Sequence, residues 1–489
     1  MKKFILSGFI FSASFFMVLI LLTGCTKKEE VEGKVPITVV SDEAKQDFLK
    51  GRDFFEKLRF QESLQHFESA FAKDNNLALA YYYHSLANTT TKGFFEDVDK
   101  AVALADKVSE GEKLMIMSLQ AGANGEPKKQ EEYLTKLVQL YPNDERAHGL
   151  LGQFYFGQQD YNKAIEHLSK ATEIAPSYSS SYNMLGYSNR NLGNYAEAEK
   201  AFKKYIELIP DDPNPYDSYA ELLMKQGKYE ESIEQYRKAL SIDPNFVASF
   251  IGISNNYNFL GKYEDARKEL QTLYDKARND GERGQALFAM TVSCVDEGNF
   301  DKAMEEMQKQ YVLNEKINDA GGMAGDFNAM GNILLEAGKY DEAMKKFEQA
   351  VEVTLASNLS NEVKENTKRF HLYNAARVSL MKNDVKKAKE IANEFGEKAN
   401  AANNTFQIWL SHELYGCIAL QGKDYKKAES EFKMANQQNP YTHYRLGLAY
   451  QGMKDKEKAD QHFKMAANFN SLTNLNQSFV RLKTRKMGL

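Results

Sequence analysis

Residues 159–176 read QDYNKAIEHLSKATEIAP, and the pattern returns as GNYAEAEKAFKKYIELIP at 193–210 and as GKYEESIEQYRKALSIDP at 227–244. Corresponding positions are 34 residues apart, and Pro142 extends the same interval upstream. A fixed period of this length is typical of stacked helix pairs, in which each pair covers the apolar face of the pair before it. The repeat predicts an extended all-α fold, because a chain of 489 residues is too long for one ordinary globular core.

Small residues recur at two positions of the repeat. The first column is formed by Gly152, Gly186, Ala220, Gly331, Gly416 and Gly447. The second column, twelve residues further on, is formed by Ala164, Ala198, Ser232, Ala266, Ala303, Ala343, Ala388, Ala428 and Ala459. Small side chains let two helix axes approach closely. We therefore expect the two helices of a pair to cross at these columns, with large side chains such as Phe202 and Phe347 filling the space beside them.

A glycine followed closely by an aromatic residue marks the turn inside each pair. The turn glycines are Gly193, Gly227, Gly261, Gly298 and Gly338. Glycine accepts the left-handed backbone with which helices commonly end. Pro176, Pro210 and Pro244 end the second helix, because proline cannot continue the hydrogen-bond ladder.

These columns resemble the tetratricopeptide repeat family. The motif is matched best from Glu145 to Pro244, and again at Gly331–Ala350 and Gly416–Pro440. The resemblance implies an all-α, right-handed superhelical solenoid of about twelve antiparallel helix pairs between Asp42 and Asn470. It also implies that the first helix of each pair lines a concave face that binds other proteins.

The chain can be divided into parts that follow the repeat more or less closely. The predicted parts are a signal peptide at 1–24, a lipidated Cys25 with a flexible tether at 25–41, irregular repeats at 42–110, the regular array at 111–246, repeats with longer helices at 247–408, C-terminal repeats at 409–473, and a capping helix or basic tail at 474–489. Within the irregular part, residues 88–93 are expected to form an extended loop.

The N-terminus resembles a bacterial lipoprotein signal. Lys2 and Lys3 precede an apolar run that ends in Leu22-Thr23-Gly24-Cys25. The resemblance implies cleavage before Cys25, a lipid on its sulfur and, since Thr26 is not Asp, the outer membrane, with the protein either periplasmic or surface-exposed. The alternative is a permanent membrane-spanning anchor, because the apolar run is marginally long enough to span a bilayer.

Composition and motifs argue against several functions. The net charge of -5 does not favour nucleic acid as the partner. Cys294 and Cys417 are expected to be two separate thiols, because elements so far apart in a solenoid rarely touch. His148, His412 and His443 share one repeat position, which favours packing over a metal site. We find no catalytic motif and expect neither an enzyme nor a cofactor.

The binding surface is predicted from the first helices. Residues there that do not serve the core are expected to contact a partner: Tyr187, Arg190, Asn191, Asp217, Glu221, Lys225, Asn255, Asn258, Asn328, Asn332, Tyr373 and Arg377. Asparagine is a poor helix former, and its amide can both donate to and accept from an extended peptide.

The function predicted from the sequence is a membrane-anchored protein-interaction scaffold of the cell envelope. Its partner would be a protein or a peptide, and the oligomeric state is left open. The alternative is a ligand-capture lipoprotein of an outer-membrane nutrient-uptake system. That class uses aromatic platforms for sugars, and Trp409 is the only tryptophan.

Overall fold

The computed structural model of the protein describes residues 33–488, which contain 25 α-helices and no strand. The helices are α1 Asp42–Glu56, α2 Phe60–Lys73, α3 Ala78–Ala87, α4 Thr91–Leu104, α5 Glu110–Ala123, α6 Pro127–Leu140, α7 Glu145–Gly157, α8 Tyr161–Ile174, α9 Ser179–Leu192, α10 Tyr195–Leu208, α11 Pro213–Lys225, α12 Tyr229–Ile242, α13 Val247–Phe259, α14 Tyr263–Lys276, α15 Asp280–Glu297, α16 Phe300–Lys316, α17 Ala320–Glu336, α18 Tyr340–Ala356, α19 Asn361–Met381, α20 Val385–Ala401, α21 Thr405–Gln421, α22 Tyr425–Met434, α23 Pro440–Gly452, α24 Lys456–Ala467 and α25 Leu475–Arg485.

Consecutive helices pack in twelve pairs, from α1 with α2 to α23 with α24, and each pair also packs against the next. Short turns join the helices of a pair and make them antiparallel. The predicted all-α solenoid of about twelve pairs is therefore confirmed. We call the first helices of the pairs, which carry odd numbers, the inner helices.

The small columns act as the sequence predicts. A Cβ added to Gly331 would lie 2.4 Å from the ring of Phe347, and one added to Gly186 would lie 2.5 Å from the ring of Phe202. Both rings are fully enclosed. The absent side chain on one helix thus makes the space that the aromatic ring of the other fills.

The turn glycines adopt the expected backbone. Gly193 has φ +80° and Gly298 has φ +94°. In later repeats the left-handed residue of the turn is not glycine but Asn383 at φ +64° and Lys423 at φ +61°. The turn geometry is therefore kept where the sequence signal for it is lost.

Two predicted boundaries are wrong. The longer helices begin at α15 with 18 residues and reach 21 residues in α19, whereas α13 and α14 keep the ordinary length. The expected loop at 88–93 is shorter than predicted: residues 88–90 are not helical, but α4 begins at Thr91, because the hydroxyl of Thr90 accepts from the N–H of Gly93 and caps the helix. A threonine-rich run can start a helix when one of its hydroxyls serves as the N-cap.

The superhelix returns alongside itself. Helix α4 packs against α17, Ser360 donates to the side chain of Asn124, and α25 packs against α15 as well as against α23 and α24. The expectation that distant elements rarely touch is therefore wrong. Cys294 and Cys417 are nevertheless free thiols, as predicted.

The described residues begin beyond the predicted signal peptide and Cys25, so both lie outside them. Among the helices described, none is long and apolar enough to span a membrane.

Candidate binding groove

Eight of the twelve predicted binding residues fall into two polar clusters between inner helices. In the first cluster, the hydroxyl of Tyr187 on α9 donates to Glu221 of α11 over 2.9 Å. The guanidinium of Arg190 donates to the other carboxylate oxygen of Glu221, also over 2.9 Å. Asp217 accepts from the hydroxyl of Ser249 on α13. Burial, followed by the nearby charge of Glu221, raises the pKa of Asp217 well above its usual range.

The second cluster joins α17, α19, α21 and α23. The hydroxyl of Tyr373 donates to Glu413 over 2.7 Å, and the guanidinium of Arg445 pairs with the same carboxylate at 2.8 Å. Arg377 donates to the amide oxygen of Asn332 over 2.7 Å. The sequence prediction missed Glu413 and Arg445. A signal for Arg445 is present in the sequence, because Tyr441 and Arg445 have the same spacing as the predicted residues Tyr373 and Arg377, and each arginine lies over its tyrosine ring.

A third contact in this cluster uses Asn328, whose amide oxygen accepts from Asn374 over 3.1 Å. The asparagines on this face thus bond to neighbouring inner helices. Their recurrence has a structural reason, because an amide can donate to one neighbour and accept from another.

The expectation that the predicted residues are free is wrong for five of them. Asp217, Glu221, Asn255, Asn258 and Tyr373 are buried. The physical reason is that successive inner helices touch, so their polar side chains are satisfied across the repeat boundary. The remaining residues are half-buried: Tyr187, Arg190, Asn191, Lys225, Asn328, Asn332 and Arg377.

Residues 471–485, which we call the C-terminal segment and which include α25, cover the inner helices of the middle repeats. Asn255 donates to the hydroxyl of Thr473 over 3.1 Å. On α25, Arg481 and Arg485 pair with Asp296 of α15, which is only 1% exposed, at 3.2 and 3.1 Å. The basic segment predicted as a capping helix or tail is thus a helix, and two of its arginines pair with the buried carboxylate of Asp296 in another repeat.

The first four repeats carry a different arrangement, which we call the N-terminal groove. It lies on the inner helices α1, α3, α5 and α7 and is lined by Arg52, Leu79, Tyr83, Met115 and Asp144. Residues 34–40, which we call the N-terminal segment, run along this groove without forming a helix. The expectation of a flexible tether is wrong for these residues.

Three carboxylates hold the backbone of the N-terminal segment. The N–H of Val35 donates to Asp144 over 2.8 Å, that of Thr38 to Glu112 over 2.8 Å, and that of Val40 to Asp74 over 2.9 Å. The three acceptors belong to successive repeats and are buried. The segment therefore runs from the fourth repeat back towards the second.

The apolar side chains of the segment that pack against the solenoid lie at alternate positions, and Thr38 between two of them also contacts it through Glu112. Val35, Ile37 and Val39 pack against the apolar core of the first repeats, whereas the side chain of Val40 is 84% exposed. Lys34 forms an ion pair with Glu145. Apolar residues at alternate positions are typical of an extended segment, and this alternation is visible in the sequence at Val35, Ile37 and Val39.

A second cavity lies where the first and later repeats meet. It has a volume of about 750 Å³ and is lined by residues from the first repeats, from α15 and α17, and from the C-terminal segment, among them Phe60, Phe288, Leu472 and Asp326. We call it the chamber. Burial raises the pKa of Asp326 to about 7, although amides of Asn314 and Gln310 donate to its carboxylate.

The raised pKa of Asp326 should make the stability of the protein depend on pH. Its pKa is raised in the folded chain from an ordinary value near 3.8, so the unfolded chain ionises first as the pH rises. The free energy of unfolding should fall by up to about 1.4 kcal/mol per pH unit between those two values and then level off. Asp326→Asn should remove this fall and stabilise the protein at pH 8 by about 2 to 4 kcal/mol, with no gain at pH 4.

Thermal unfolding at pH 4, 6 and 8 measures this effect. The matched control is Asp301→Asn, which changes an exposed carboxylate and should leave the pH profile unchanged. An Asp326→Asn variant that follows the wild-type profile would show that the carboxyl ionises freely inside the fold.

The histidines behave as packing residues. The ring of His148 lies 5.6 Å from that of His167, and the ring of His443 stacks 5.7 Å from that of His462. Burial lowers the pKa of His443 to about 4 and keeps it neutral. Among residues 33–488, no group of three or more His, Cys, Asp or Glu side chains is placed to hold a metal ion.

Family models match the chain in four places. Models described as tetratricopeptide or TPR repeats match residues 144–211, 220–252, 327–359 and 440–470. No curated protein sequence matches the chain.

Two solved structures illustrate how far the likeness extends. The MamA protein is 23% identical over 34% of this chain and 91% of its own, with a TM-score of 0.28. The APC/C hetero-tetramer Cut9-Hcn1 is 15% identical over 72% of this chain and 73% of its own, with a TM-score of 0.36. Both superpose too loosely to indicate a function. The four matching models and the twelve stacked helix pairs of the described residues show that the chain contains tetratricopeptide repeats.

Proposed function

We propose that the protein is a membrane-tethered scaffold of the bacterial cell envelope that binds a partner protein through its concave face. Tetratricopeptide repeats support a role in protein–protein interaction. The observation that carries the proposal is the N-terminal groove, in which carboxylates of successive repeats accept the backbone N–H groups of an extended polypeptide. A face that satisfies one extended segment in this way offers the chemistry to bind another.

The membrane location rests on the sequence around Cys25. A lipid on this cysteine would place the solenoid on the outer membrane, with its first repeats nearest to the anchor. More than one acyl chain makes such anchoring stable.

Photo-crosslinking in intact cells tests the proposal. A crosslinking amino acid at Lys45, which lines the N-terminal groove, should capture a discrete protein in the membrane fraction. The matched control is the same amino acid at Glu68 on the outer helix α2, where the side chain is 61% exposed, and it should not capture that protein.

The Cys25→Ser variant tests the anchor in the same experiment. Without the acceptor sulfur, the chain and its captured partner should leave the membrane fraction. Equal capture from both positions would refute binding through the groove, and membrane retention of Cys25→Ser would refute the lipid anchor.

The chamber favours a second candidate function, the capture of a small ligand. Its volume of about 750 Å³ lies within the range of small-molecule sites, about 300 to 1,000 Å³. The aromatic side chains of Phe60, Phe246 and Phe288 line it, although the chain has only one tryptophan. Retention of a small molecule by the purified chain, with no protein captured at Lys45, would favour this function over the scaffold.

A further inference from the structure

We propose that the N-terminal segment is an intramolecular occupant of the N-terminal groove, and that a partner displaces it with an extended segment of the same chemistry. That chemistry is a strand with β-branched apolar residues at alternate positions and a hydroxyl residue between two of them, as in Val35, Ile37, Thr38 and Val39. The inference rests on the proposed function and names what the groove recognises.

The spacing of the acceptors fits an extended strand. From the N–H of Val35 to that of Val40 is five residues, which span about 17 Å in a strand. The acceptors cross two steps between neighbouring inner helices, each of about 8 to 10 Å, or about 16 to 20 Å in all. The rise of a strand therefore matches the stacking of the repeats, and the groove suits extended polypeptide in general.

In two of the acceptors, one carboxylate oxygen accepts from the solenoid and the other accepts from the segment. In Asp144, one carboxylate oxygen caps α7 by accepting from Arg146 and Ala147, and the other accepts from Val35. In Asp74, one oxygen accepts from Asn76 and the other from Val40. The caps hold both carboxylates in place, so the second oxygen is positioned before any strand arrives.

Among the three carboxylates that accept backbone N–H groups of the N-terminal segment, Glu112 also accepts from a side chain of the segment. It accepts from the N–H of Thr38 and also from the Thr38 hydroxyl, while its capping box with Ser109 fixes its position. The N–H of Ser109 donates in turn to the Thr38 hydroxyl over 3.2 Å. A threonine or serine is therefore favoured at this position of any strand that binds.

The apolar fit also selects small side chains. Gly111 on α5 leaves room for Val35, because a Cβ there would lie 2.9 Å from a methyl group of the valine. A β-branched side chain fills this space, and a larger one would meet the helix.

The groove is incompletely filled by its present occupant. A cleft of about 400 Å³ remains between the segment and the side chains of Arg52, Tyr83 and Met115. Well-packed protein interiors leave few voids larger than a water molecule. A partner strand with larger or additional side chains facing this cleft would gain contacts that the N-terminal segment does not make, which allows it to compete with a tethered occupant.

Hydrogen exchange of the full chain is the first test. In the wild-type protein the amides of Val35, Thr38 and Val40 should exchange at least tenfold more slowly than in the free peptide GKVPITVVS, which reproduces residues 33–41. An excess of that peptide should remove the protection by displacing the segment. The same peptide with aspartate at the positions of Ile37, Val39 and Val40 should not remove the protection.

The second test measures how tightly the chain binds a labelled form of the peptide GKVPITVVS. In the Ile37→Asp/Val39→Asp chain the groove is vacant, so this variant should bind the labelled peptide at least tenfold more tightly than the wild type does. The matched control, Val312→Asp, makes the same change at an exposed side chain outside the groove and should bind the peptide as weakly as the wild type. Hydrogen exchange of the wild type decides the matter if the double variant loses helicity.

Three outcomes would overturn the inference. These are unprotected amides in the wild type, equal affinity of the wild type and the double variant, and a dimer in which a second copy supplies the protected segment. Protected, displaceable amides in a chain that captures no envelope protein would refute the proposed function alone. Capture at Lys45 by a chain with unprotected amides would refute this inference and leave the proposed function in place.

Discussion

Gly331→Ala is expected to destabilise the protein by about 1 to 3 kcal/mol, the usual cost of overpacking a well-filled core. The new Cβ would lie 2.4 Å from the ring of Phe347, which is fully enclosed between α17 and α18. The ring cannot move away without disturbing the crossing of the two helices. The free energy of unfolding, measured in urea, should fall accordingly.

Gly325→Ala is the matched control on the same helix. A Cβ at Gly325 meets no atom within 4 Å, so only the helix propensity of the residue changes. Alanine is favoured over glycine inside a helix by about 0.5 to 1 kcal/mol, and this variant should be stabilised by that amount. Two identical substitutions six residues apart should thus have opposite signs, and equal effects would mean that the small column has no role in helix packing.

Glu413→Ala is expected to cost about 3 to 5 kcal/mol, because it leaves a buried cation without its partner. Glu413 is 3% exposed, accepts from Tyr373 and Asn439, and forms an ion pair with Arg445. Removal of the carboxylate leaves the guanidinium of Arg445, which is itself largely buried, unpaired between α21 and α23. Faster hydrogen exchange in these two helices should accompany the loss of stability.

Two further variants show whether the pair itself or the unpaired charge is responsible. Glu394→Ala removes an exposed ion pair with Lys398 and should change stability by less than about 1 kcal/mol. Glu413→Leu/Arg445→Met replaces both charges with apolar side chains and should recover most of the stability that Glu413→Ala loses. A double variant as unstable as the single one would contradict this explanation.

The sequence predicted the pairing of helices better than it predicted the site. The columns at Gly331 and Gly186 are local features, since both helices of a pair lie within one repeat. Arg190 and Glu221, by contrast, are 31 residues apart on different repeats, and Arg445 lies on a different repeat from Glu413. Their contacts depend on how one pair stacks on the next, which the period alone does not specify.

The conformation of the N-terminal segment also depends on contacts that are distant in the sequence. Glycine and proline at positions 33 and 36 favoured a flexible tether, and the alternation of Val35, Ile37 and Val39 gave a weaker opposing signal. The structure favours the strand because Asp74, Glu112 and Asp144 come together along one groove. Those acceptors lie 34 to 109 residues away from the N–H groups that they bind.

The sequence by itself determined the quoted repeat at residues 159–244, and with it the helices, their turns and the crossing at the small columns. These features follow from interactions within about 34 residues, which a period displays directly. Only the tertiary structure decided that the solenoid returns on itself, that α25 covers the middle repeats, and that the N-terminal segment fills a groove. Small rotations between neighbouring repeats add up along the superhelix, and their sum brings distant elements into contact without leaving a pattern in the sequence.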